Sequence, residues 1–213
     1  MIDFAHARTQ MVENQLRTVG VSDKRLLAAM MAVPREQFVA PALQPVAYTD
    51  VVLPIAAGRA LAAPAPFAKL VQLAEIAHED AVLDVGAGAG YSTAVLAAMA
   101  REVTALESDP DLADIVRRHL TELGIAHVRL VDAPLDGSYA PGRLFDVIVI
   151  EGMVDAEPAA FFPLLADGGR LVALVRGRGV ATAHVYVRSG AEVAGRAEFN
   201  AVLPPLPLAP RPQ

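Results

Sequence analysis

Short apolar runs alternate with amphipathic segments along most of the chain, beginning near residue 67. The first run, over 81–85, is apolar except for Asp84, a pattern typical of a strand buried on both faces of a sheet. Similar runs predict strands over 102–107, 127–131, 145–150, 170–175, 182–188 and 193–200. The segments between them predict helices over 67–76, 91–100, 109–124 and 157–165. This alternation predicts an α/β fold with a parallel, doubly wound sheet.

The first 66 residues follow a different pattern. A polar helix is predicted from Phe4 to Val19, and a second helix begins with Ser22 as its N-cap and ends at Pro34. Residues 34–66 are rich in proline and alanine, and we interpret them as a cap on the sheet. We therefore predict a single domain over 1–213, made of an N-terminal helical cap over 1–66, an α/β core over 67–200 and a proline-rich tail over 201–213.

Three alternate glycines follow the first predicted strand of the core. Gly86, Gly88 and Gly90 lie between that strand and a helix that begins at Tyr91. A glycine-rich turn between strand and helix lets the backbone approach a nucleotide closely and directs helix N–H groups towards it. The next strand ends on Glu107, where a carboxylate can accept hydrogen bonds from both ribose hydroxyls. The pattern predicts a nucleotide site at this edge of the sheet.

The glycine spacing indicates which nucleotide binds. A dinucleotide fingerprint requires G-x-G-x-x-G, whereas here the third glycine comes one residue early and Tyr91 fills its place. Asp84, two residues before the first glycine, would repel a pyrophosphate but suits a cationic ligand. S-adenosylmethionine carries a sulfonium and an ammonium group and no phosphate, so the pattern favours it. The alternative is an ordinary glycine-rich turn in another α/β protein.

The loop resembles that of class I S-adenosylmethionine-dependent methyltransferases, and further segments resemble one of their families. Protein-L-isoaspartate O-methyltransferases share with this chain, in the same order, QMVENQL at 10–16, VPREQFV at 33–39, Ala-Tyr at 47–48, LPI at 53–55, FDVI at 145–148 and GGRLV at 168–172. The resemblance covers about residues 8–176. It implies a Rossmann-like sheet with an N-terminal helical cap. It also implies methylation of the abnormal carboxylate of isoaspartyl residues in damaged proteins or peptides.

The resemblance also implies which residues contact the cofactor. By position, the glycine loop with Asp84 would line the methionine end, and Glu107 would hold the ribose. Asp132 and Ala133 would lie beside the adenine. The family usually has Gly-Asp-Gly around that aspartate, whereas this chain has Val131-Asp132-Ala133, which weakens the expected adenine contact.

The substrate loop departs from the family pattern. Bacterial members read close to G-Q-T-I-S-Q-P where this chain has GRALAAP at 58–64. The active-site serine falls on Ala62, and the neighbouring threonine and glutamine fall on Ala60 and Ala63. A carboxylate is already ionised at neutral pH, so its methylation needs no general base, and the loss should slow the reaction without abolishing it. Arg59 would partly replace the lost contacts by pairing with a substrate carboxylate, unless it is a solvated surface residue.

Other functions remain open at this stage. The same fold with another methyl acceptor, or a non-catalytic S-adenosylmethionine-binding protein, would also account for the alanines. Residues 90–94 nearly match the G-x-S-x-G elbow of serine hydrolases, with His184 downstream, but that hypothesis leaves Asp84 and Glu107 without a role. Tyr48 either shapes the cleft or packs within the cap. Glu151 either touches substrate or faces solvent, and we expect it to face solvent.

Composition narrows the classes of protein and of partner that remain possible. The chain has 213 residues, 54% of them hydrophobic, which suits one domain with a sizeable core. A net charge of −6 without a basic cluster argues against nucleic acid as a partner. The absence of cysteine excludes thiolate chemistry, and the histidines lack ligand spacing, so we expect no metal site. No signal segment or membrane span is visible, so we expect a cytoplasmic location, with the oligomeric state left open.

Overall fold

The computed structural model describes residues 2–56, 58–139, 142–177, 179–206 and 208, except for the side chain of Ala56. The α-helices are α1 (Phe4–Met11), α2 (Lys24–Ala32), α3 (Pro64–Leu73), α4 (Tyr91–Ala97) and α5 (Pro110–Glu122). The strands are β1 (Leu53–Ala56), β2 (Arg59–Leu61), β3 (Ala81–Val85), β4 (Glu102–Glu107), β5 (Val128–Asp132), β6 (Phe145–Val154), β7 (Leu165–Val175), β8 (Thr182–Ser189) and β9 (Glu192–Asn200). In this part of the chain, no helix is both long and apolar enough to cross a membrane.

The central sheet has seven strands in the order β5-β4-β3-β6-β7-β8-β9. Strands β3 to β7 are parallel, and every residue of β3 is buried. The sheet grows to one side of β3 through β4 and to the other through β6, so the carboxyl end of β3 is the switch point at which open α/β sheets bind ligands. The predicted α/β fold is confirmed.

The last two strands differ from the predicted parallel arrangement. β8 runs antiparallel to β7, and β9 runs antiparallel to β8. The connection from β8 to β9 is a tight turn with Gly190 at a φ of +59°. A parallel pair needs a crossover of a dozen or more residues, which this connection does not provide.

The N-terminal cap contains the two predicted helices with local differences. After α1 the chain continues in a π turn over Val12–Leu16 and a 3-10 turn over Arg17–Val19. Asp23, rather than Ser22, caps α2, because its carboxylate accepts hydrogen bonds from the Arg25 and Leu26 N–H groups at 2.8 and 3.3 Å.

The secondary-structure elements are shorter than the composition suggests in two segments, 34–66 and 157–165. The first segment forms 3-10 turns over Arg35–Phe38 and Pro41–Val46, followed by the antiparallel hairpin of β1 and β2. The second forms a 3-10 turn over Ala159–Leu164 instead of an α-helix. Pro163 lies inside this turn and has no N–H for an α-helical bond.

The cap is joined to the core by an aromatic cluster. Phe38 of the cap packs edge-on against Tyr91 and His119, with ring centroids 5.5 and 5.0 Å apart. Phe67 of α3 lies 5.6 Å from Tyr91. His119 Nδ1 lies 2.8 Å from the carbonyl of Ala89, so the cluster also supports the glycine loop.

Part of the predicted tail packs on the sheet. Pro204 accepts a hydrogen bond from the Met153 N–H at 2.8 Å, and the Leu206 N–H donates back to Met153 at 2.9 Å. Leu203 and Leu206 are buried. Residues 207 and 209–213 lie outside the described residues.

Gly90 provides a test of how the glycine loop is packed. Its φ is +93°, and an added Cβ would lie 3.3 Å from Val116, whereas Gly124 has a φ of +67° and no atom near its added Cβ. Gly124→Ala should lower the free energy of unfolding by about 1 kcal/mol, because alanine is strained at a positive φ. Gly90→Ala should lower it by more, because the added methyl group would also crowd Val116. Urea unfolding measures both, and equal losses would contradict the crowding.

Candidate active site

The glycine loop is held at the carboxyl ends of β3 and β4. The N–H groups of Gly86 and Ala87 both donate to the Leu106 carbonyl, at 2.8 and 3.2 Å. Gly86 and Gly88 have φ values of +84° and +60°. An added Cβ on Gly86 would lie 2.8 Å from the end of the Leu206 side chain, which would have to move, and the positive φ itself favours glycine.

Asp84 lies beneath this loop and is fully buried. Its Oδ2 accepts hydrogen bonds from the Thr93 and Ser92 hydroxyls at 2.6 and 2.9 Å. Its Oδ1 has no hydrogen-bond partner among the described residues. Burial raises the pKa of Asp84 to about 6, while the two hydroxyls oppose that rise. Asp84 therefore keeps one acceptor that no described residue uses.

The contacts of Ser92 and His184 contradict the serine-hydrolase hypothesis, because they leave Ser92 without a general base. The Ser92 hydroxyl is committed to Asp84. His184 lies on β8, stacks on Tyr186 and has its Nδ1 2.9 Å from the Thr182 carbonyl. A nucleophile and its base must lie within hydrogen-bond reach of each other.

Glu107 is a buried carboxylate with every acceptor position in use. It accepts the N–H groups of Gly88, Ser108 and Asp109 at 2.8, 2.8 and 3.1 Å. Arg59 Nη1 and Nη2 donate to its two oxygens at 2.8 and 3.1 Å. Three backbone N–H groups and a bidentate guanidinium therefore hold this carboxylate in place.

Arg59 occupies the same pocket from the β1–β2 hairpin. Its side chain is 13% exposed, which does not fit a solvated surface arginine. Besides Glu107, its Nη2 donates to the Gly86 carbonyl at 2.9 Å. The guanidinium therefore covers both the first glycine and the carboxylate at the end of β4.

A small cavity of about 30 Å³ lies between the hairpin and the glycine loop. Its walls include Ala60, Ala62, Arg59 and Glu151, together with Ser92 and Tyr91 of α4. The alanines at the family's threonine and serine positions therefore do line a pocket, but they present methyl groups to it.

Arg35, also in the wall of this cavity, fixes the substrate loop. It is fully buried, donates from Nε to the Ala47 carbonyl at 2.7 Å, and donates from Nη2 to the Ala62 carbonyl. Its guanidinium carbon lies 4.8 Å from the centre of the Tyr91 ring. Burial lowers the pKa of Arg35. Its appearance in the VPREQFV segment was the only indication in the sequence of this role.

Glu151, expected to face solvent, is half-buried. Its Oε1 is buried in the cavity wall and has no hydrogen-bond partner in the described part of the chain. Burial and the neighbouring Asp84 carboxylate raise the pKa of Glu151 well above its usual range, against the opposing effect of Arg59. Two extra residues in β6 shift the register with β7 between Val149 and Met153. Such a bulge redirects side chains at the edge of a sheet.

A second, wider cleft of about 940 Å³ adjoins the hairpin at Gly58 and Arg59. Its walls include Ser108, Leu135 and Asp136. Asp132 lies at the end of β5 in register with Glu107 and is exposed, and the Ala133 N–H donates to the Glu107 carbonyl at 3.1 Å. The structure thus brings Asp132 to the same edge of the sheet as Glu107, while residues just beyond Asp132 form the wall of the wide cleft.

Tyr48 belongs to the packing of the cap. Its hydroxyl donates to Glu36 and accepts a hydrogen bond from Arg8 Nε at 2.8 Å. Burial and the Glu36 contact raise the pKa of Tyr48. Of the two roles open from the sequence, these contacts favour packing.

A parallel sheet with a switch point at β3, a glycine loop after β3 and a carboxylate at the end of β4 define the class I methyltransferase fold. Two solved structures share it. One is a protein-L-isoaspartate O-methyltransferase, with a TM-score of 0.81 and 22% identity over 94% of this chain and 66% of that chain. The other, from Plasmodium falciparum, is described as a protein of the same kind in complex with S-adenosyl-L-homocysteine, with a TM-score of 0.81 and 20% identity over 98% and 100% of the two chains.

Sequence comparison identifies the family. The family model for protein-L-isoaspartate(D-aspartate) O-methyltransferase matches residues 6–206. The protein-L-isoaspartate O-methyltransferase of Koribacter versatilis is 40% identical over 169 residues, which cover 79% of this chain and 76% of that protein. The protein-L-isoaspartate O-methyltransferase of Methylorubrum populi is 37% identical over 196 residues, which cover 92% of each chain. The chain belongs to the protein-L-isoaspartate(D-aspartate) O-methyltransferase family, which confirms the resemblance seen in the sequence.

The buried Asp84 should cost stability in its ionised form. Its pKa rises from 3.8 to about 6 on folding, so the native state binds more protons than the unfolded chain between these values, and stability falls as the pH rises through this window. Asp84→Asn should therefore raise the free energy of unfolding at pH 7.5 by about 1–3 kcal/mol and change it much less at pH 4. Urea unfolding at the two pH values measures this difference.

The exposed Asp114 of α5 provides a control for this test. Asp114→Asn should give no pH-dependent gain, because its carboxylate is solvated. An equal gain for Asp84→Asn at pH 4 and pH 7.5 would assign the effect to packing instead of ionisation.

Proposed function

We propose that this protein uses S-adenosylmethionine to methylate the carboxylate of isoaspartyl residues in peptides and damaged proteins. The observation that carries the proposal is the pair of buried carboxylates, Asp84 and Glu107, on either side of the glycine loop in a chain of this family. One carboxylate suits the cationic end of the cofactor, and the other suits its ribose.

The residues present fit this cofactor. The free Oδ1 of Asp84 is a buried acceptor suited to a cationic group, and Gly86, Gly88 and Gly90 allow a ligand to lie against the backbone. Glu107 would accept the ribose hydroxyls in place of Arg59, and Asp132 and Ala133 would lie towards the adenine, beside the wide cleft. When bound, S-adenosylmethionine supplies an electrophilic methyl group on a sulfonium.

The acceptor side is the small cavity. A substrate carboxylate is ionised at neutral pH, so the protein needs only to orient it and exclude water. Ala60, Ala62 and Ala63 offer no side-chain hydrogen bonds for this purpose. Arg59 and the fully buried Arg35 are the cationic donors in the cavity wall, and an arginine fork matches a carboxylate.

The direct test measures S-adenosylhomocysteine formed from S-adenosylmethionine with an isoaspartyl peptide, beside the same peptide containing normal aspartate. Product should form only with the isoaspartyl peptide. Calorimetry should detect both nucleotides, and Glu107→Ala should weaken binding by about 1–3 kcal/mol through loss of charge-assisted hydrogen bonds. Glu122→Ala, at an exposed position on α5, is the control and should bind as tightly as the natural chain.

Three results would lead away from this function. No binding of either nucleotide at millimolar concentration would end the methyltransferase assignment. Binding without turnover of any peptide would indicate a non-catalytic protein. Turnover of both peptides at equal rates would indicate that the acceptor is a different group.

The alanine-rich loop makes a separate prediction. Ala62→Ser, alone and combined with Ala60→Thr and Ala63→Gln, should raise the rate on an isoaspartyl peptide by about 10-fold, because one oriented hydroxyl contributes roughly 1.5 kcal/mol or more. Steady-state kinetics with the natural chain as reference measures the gain. An efficient natural enzyme with no gain on substitution would show that other groups orient the substrate.

A further inference from the structure

Arg59 is the only side chain that belongs to the walls of both the small cavity and the wide cleft, among the described residues. It pairs with Glu107 on the cleft side. On the cavity side lies Glu151, whose Oε1 has no partner in the described structure. The Arg59 guanidinium therefore lies between two carboxyl groups. Glu107 has all its acceptor positions in use, whereas Glu151 has one oxygen without a hydrogen bond in the described structure.

Glu107 cannot serve Arg59 and a ribose at the same time. A carboxylate offers about four lone-pair positions, and this one already accepts three backbone N–H groups and two guanidinium N–H groups. The backbone donors are fixed by the glycine loop and the turn after β4. Under the proposed function, the ribose hydroxyls must therefore replace Arg59.

A guanidinium displaced from Glu107 needs another partner, because an unpaired charge is costly where its side chain is only 13% exposed. Glu151 provides that partner. It lines the same cavity, its Oε1 is buried, and the titratable groups around it are Asp84, Arg59, the neutral Tyr91 hydroxyl and, from the cap, Arg35. Arg59 and Arg35 are the cations, and Arg35 is held by the carbonyls of Ala47 and Ala62.

We propose that cofactor binding transfers Arg59 from Glu107 to Glu151, and that the guanidinium held there receives the acceptor's carboxylate beside Ala60 and Ala62. This inference rests on the proposed function and assigns its substrate-positioning group. Arg59 would touch the substrate, and Glu151 would be a positioning residue. A guanidinium has five N–H donors in a planar fork, so one edge can bind Glu151 while another binds the acceptor.

The exchange carries a proton with it. Burial and the neighbouring Asp84 raise the pKa of Glu151 well above its usual range, and Arg59 opposes that rise. Direct pairing with Arg59 favours the ionised carboxylate, so the exchange would break the O–H bond of a protonated Glu151 and pass its proton to the buffer. Asp84, with a pKa of about 6, is already ionised at pH 7.5 and contributes little there.

Calorimetry of S-adenosylhomocysteine binding at pH 7.5, in phosphate and in Tris, counts the protons released. The natural chain should release more protons per bound nucleotide than Glu151→Gln, because pairing with Arg59 favours ionisation of Glu151 and the amide cannot ionise. Arg59→Gln should lose the same proton, which keeps the test valid if Glu151→Gln folds poorly. The control Glu122→Gln should release as many protons as the natural chain.

A double-mutant cycle separates positioning from direct contact. Glu151→Gln should weaken S-adenosylhomocysteine binding about 10-fold, because Arg59 loses its second partner. On the Arg59→Gln background the same change should have almost no effect. With an isoaspartyl peptide, Arg59→Gln and Glu151→Gln should each raise KM more than they lower kcat.

The outcomes distinguish this inference from the function on which it rests. Nucleotide binding and isoaspartyl turnover with equal proton release in the natural chain and Glu151→Gln would overturn the exchange and leave the function intact. If Glu151→Gln weakened nucleotide binding equally in the natural chain and in Arg59→Gln, Glu151 would contact the cofactor directly. That result would also overturn the exchange. Failure of the natural chain to bind the nucleotide would overturn both.

Discussion

The buried carboxylate of Glu107 is the contact on which the rest of the site depends. It joins three segments that are distant in the sequence, since it accepts hydrogen bonds from Gly88, from Ser108 and Asp109, and from Arg59 of the hairpin. A carboxylate this deeply buried is stable only if its oxygens are satisfied. The requirement fixes the glycine loop against β4 and draws the hairpin over the switch point of the sheet.

Three acidic side chains surround one guanidinium at this edge of the sheet. Glu107 is paired, whereas Asp84 and Glu151 each keep a buried oxygen without a partner in the described residues. Buried carboxyl groups without cations resist ionisation, which is the cause of the raised pKa of both. The protein thus holds acceptor capacity that its own side chains do not use, as expected of a site that receives a ligand with donors and positive charge.

The cap provides the opposite side of the site. Arg35 is buried between Tyr91 of α4 and the Ala47 and Ala62 carbonyls, so it ties the cap, the substrate loop and the helix after the glycine loop together. The loop's geometry is thereby fixed by backbone contacts that do not depend on the side chains at 60, 62 and 63. Alanines at these three positions are therefore compatible with the place of the loop in the fold.

The sequence by itself determined the strands of the central sheet, most of its helices, the glycine loop and the family, because periodicity and glycine spacing are local properties that survive in a linear pattern. It also identified Asp84 and Glu107, whose positions follow from strand ends. It did not determine the antiparallel direction of β8 and β9, the partner of Arg59 or the burial of Glu151. Those depend on which segments meet in space: Glu151 lines the cavity between the hairpin and the glycine loop, and a hairpin 48 residues upstream in the sequence delivers Arg59 to Glu107. Only tertiary packing decides such pairings, since the energy of a buried charge is set by its neighbours in three dimensions.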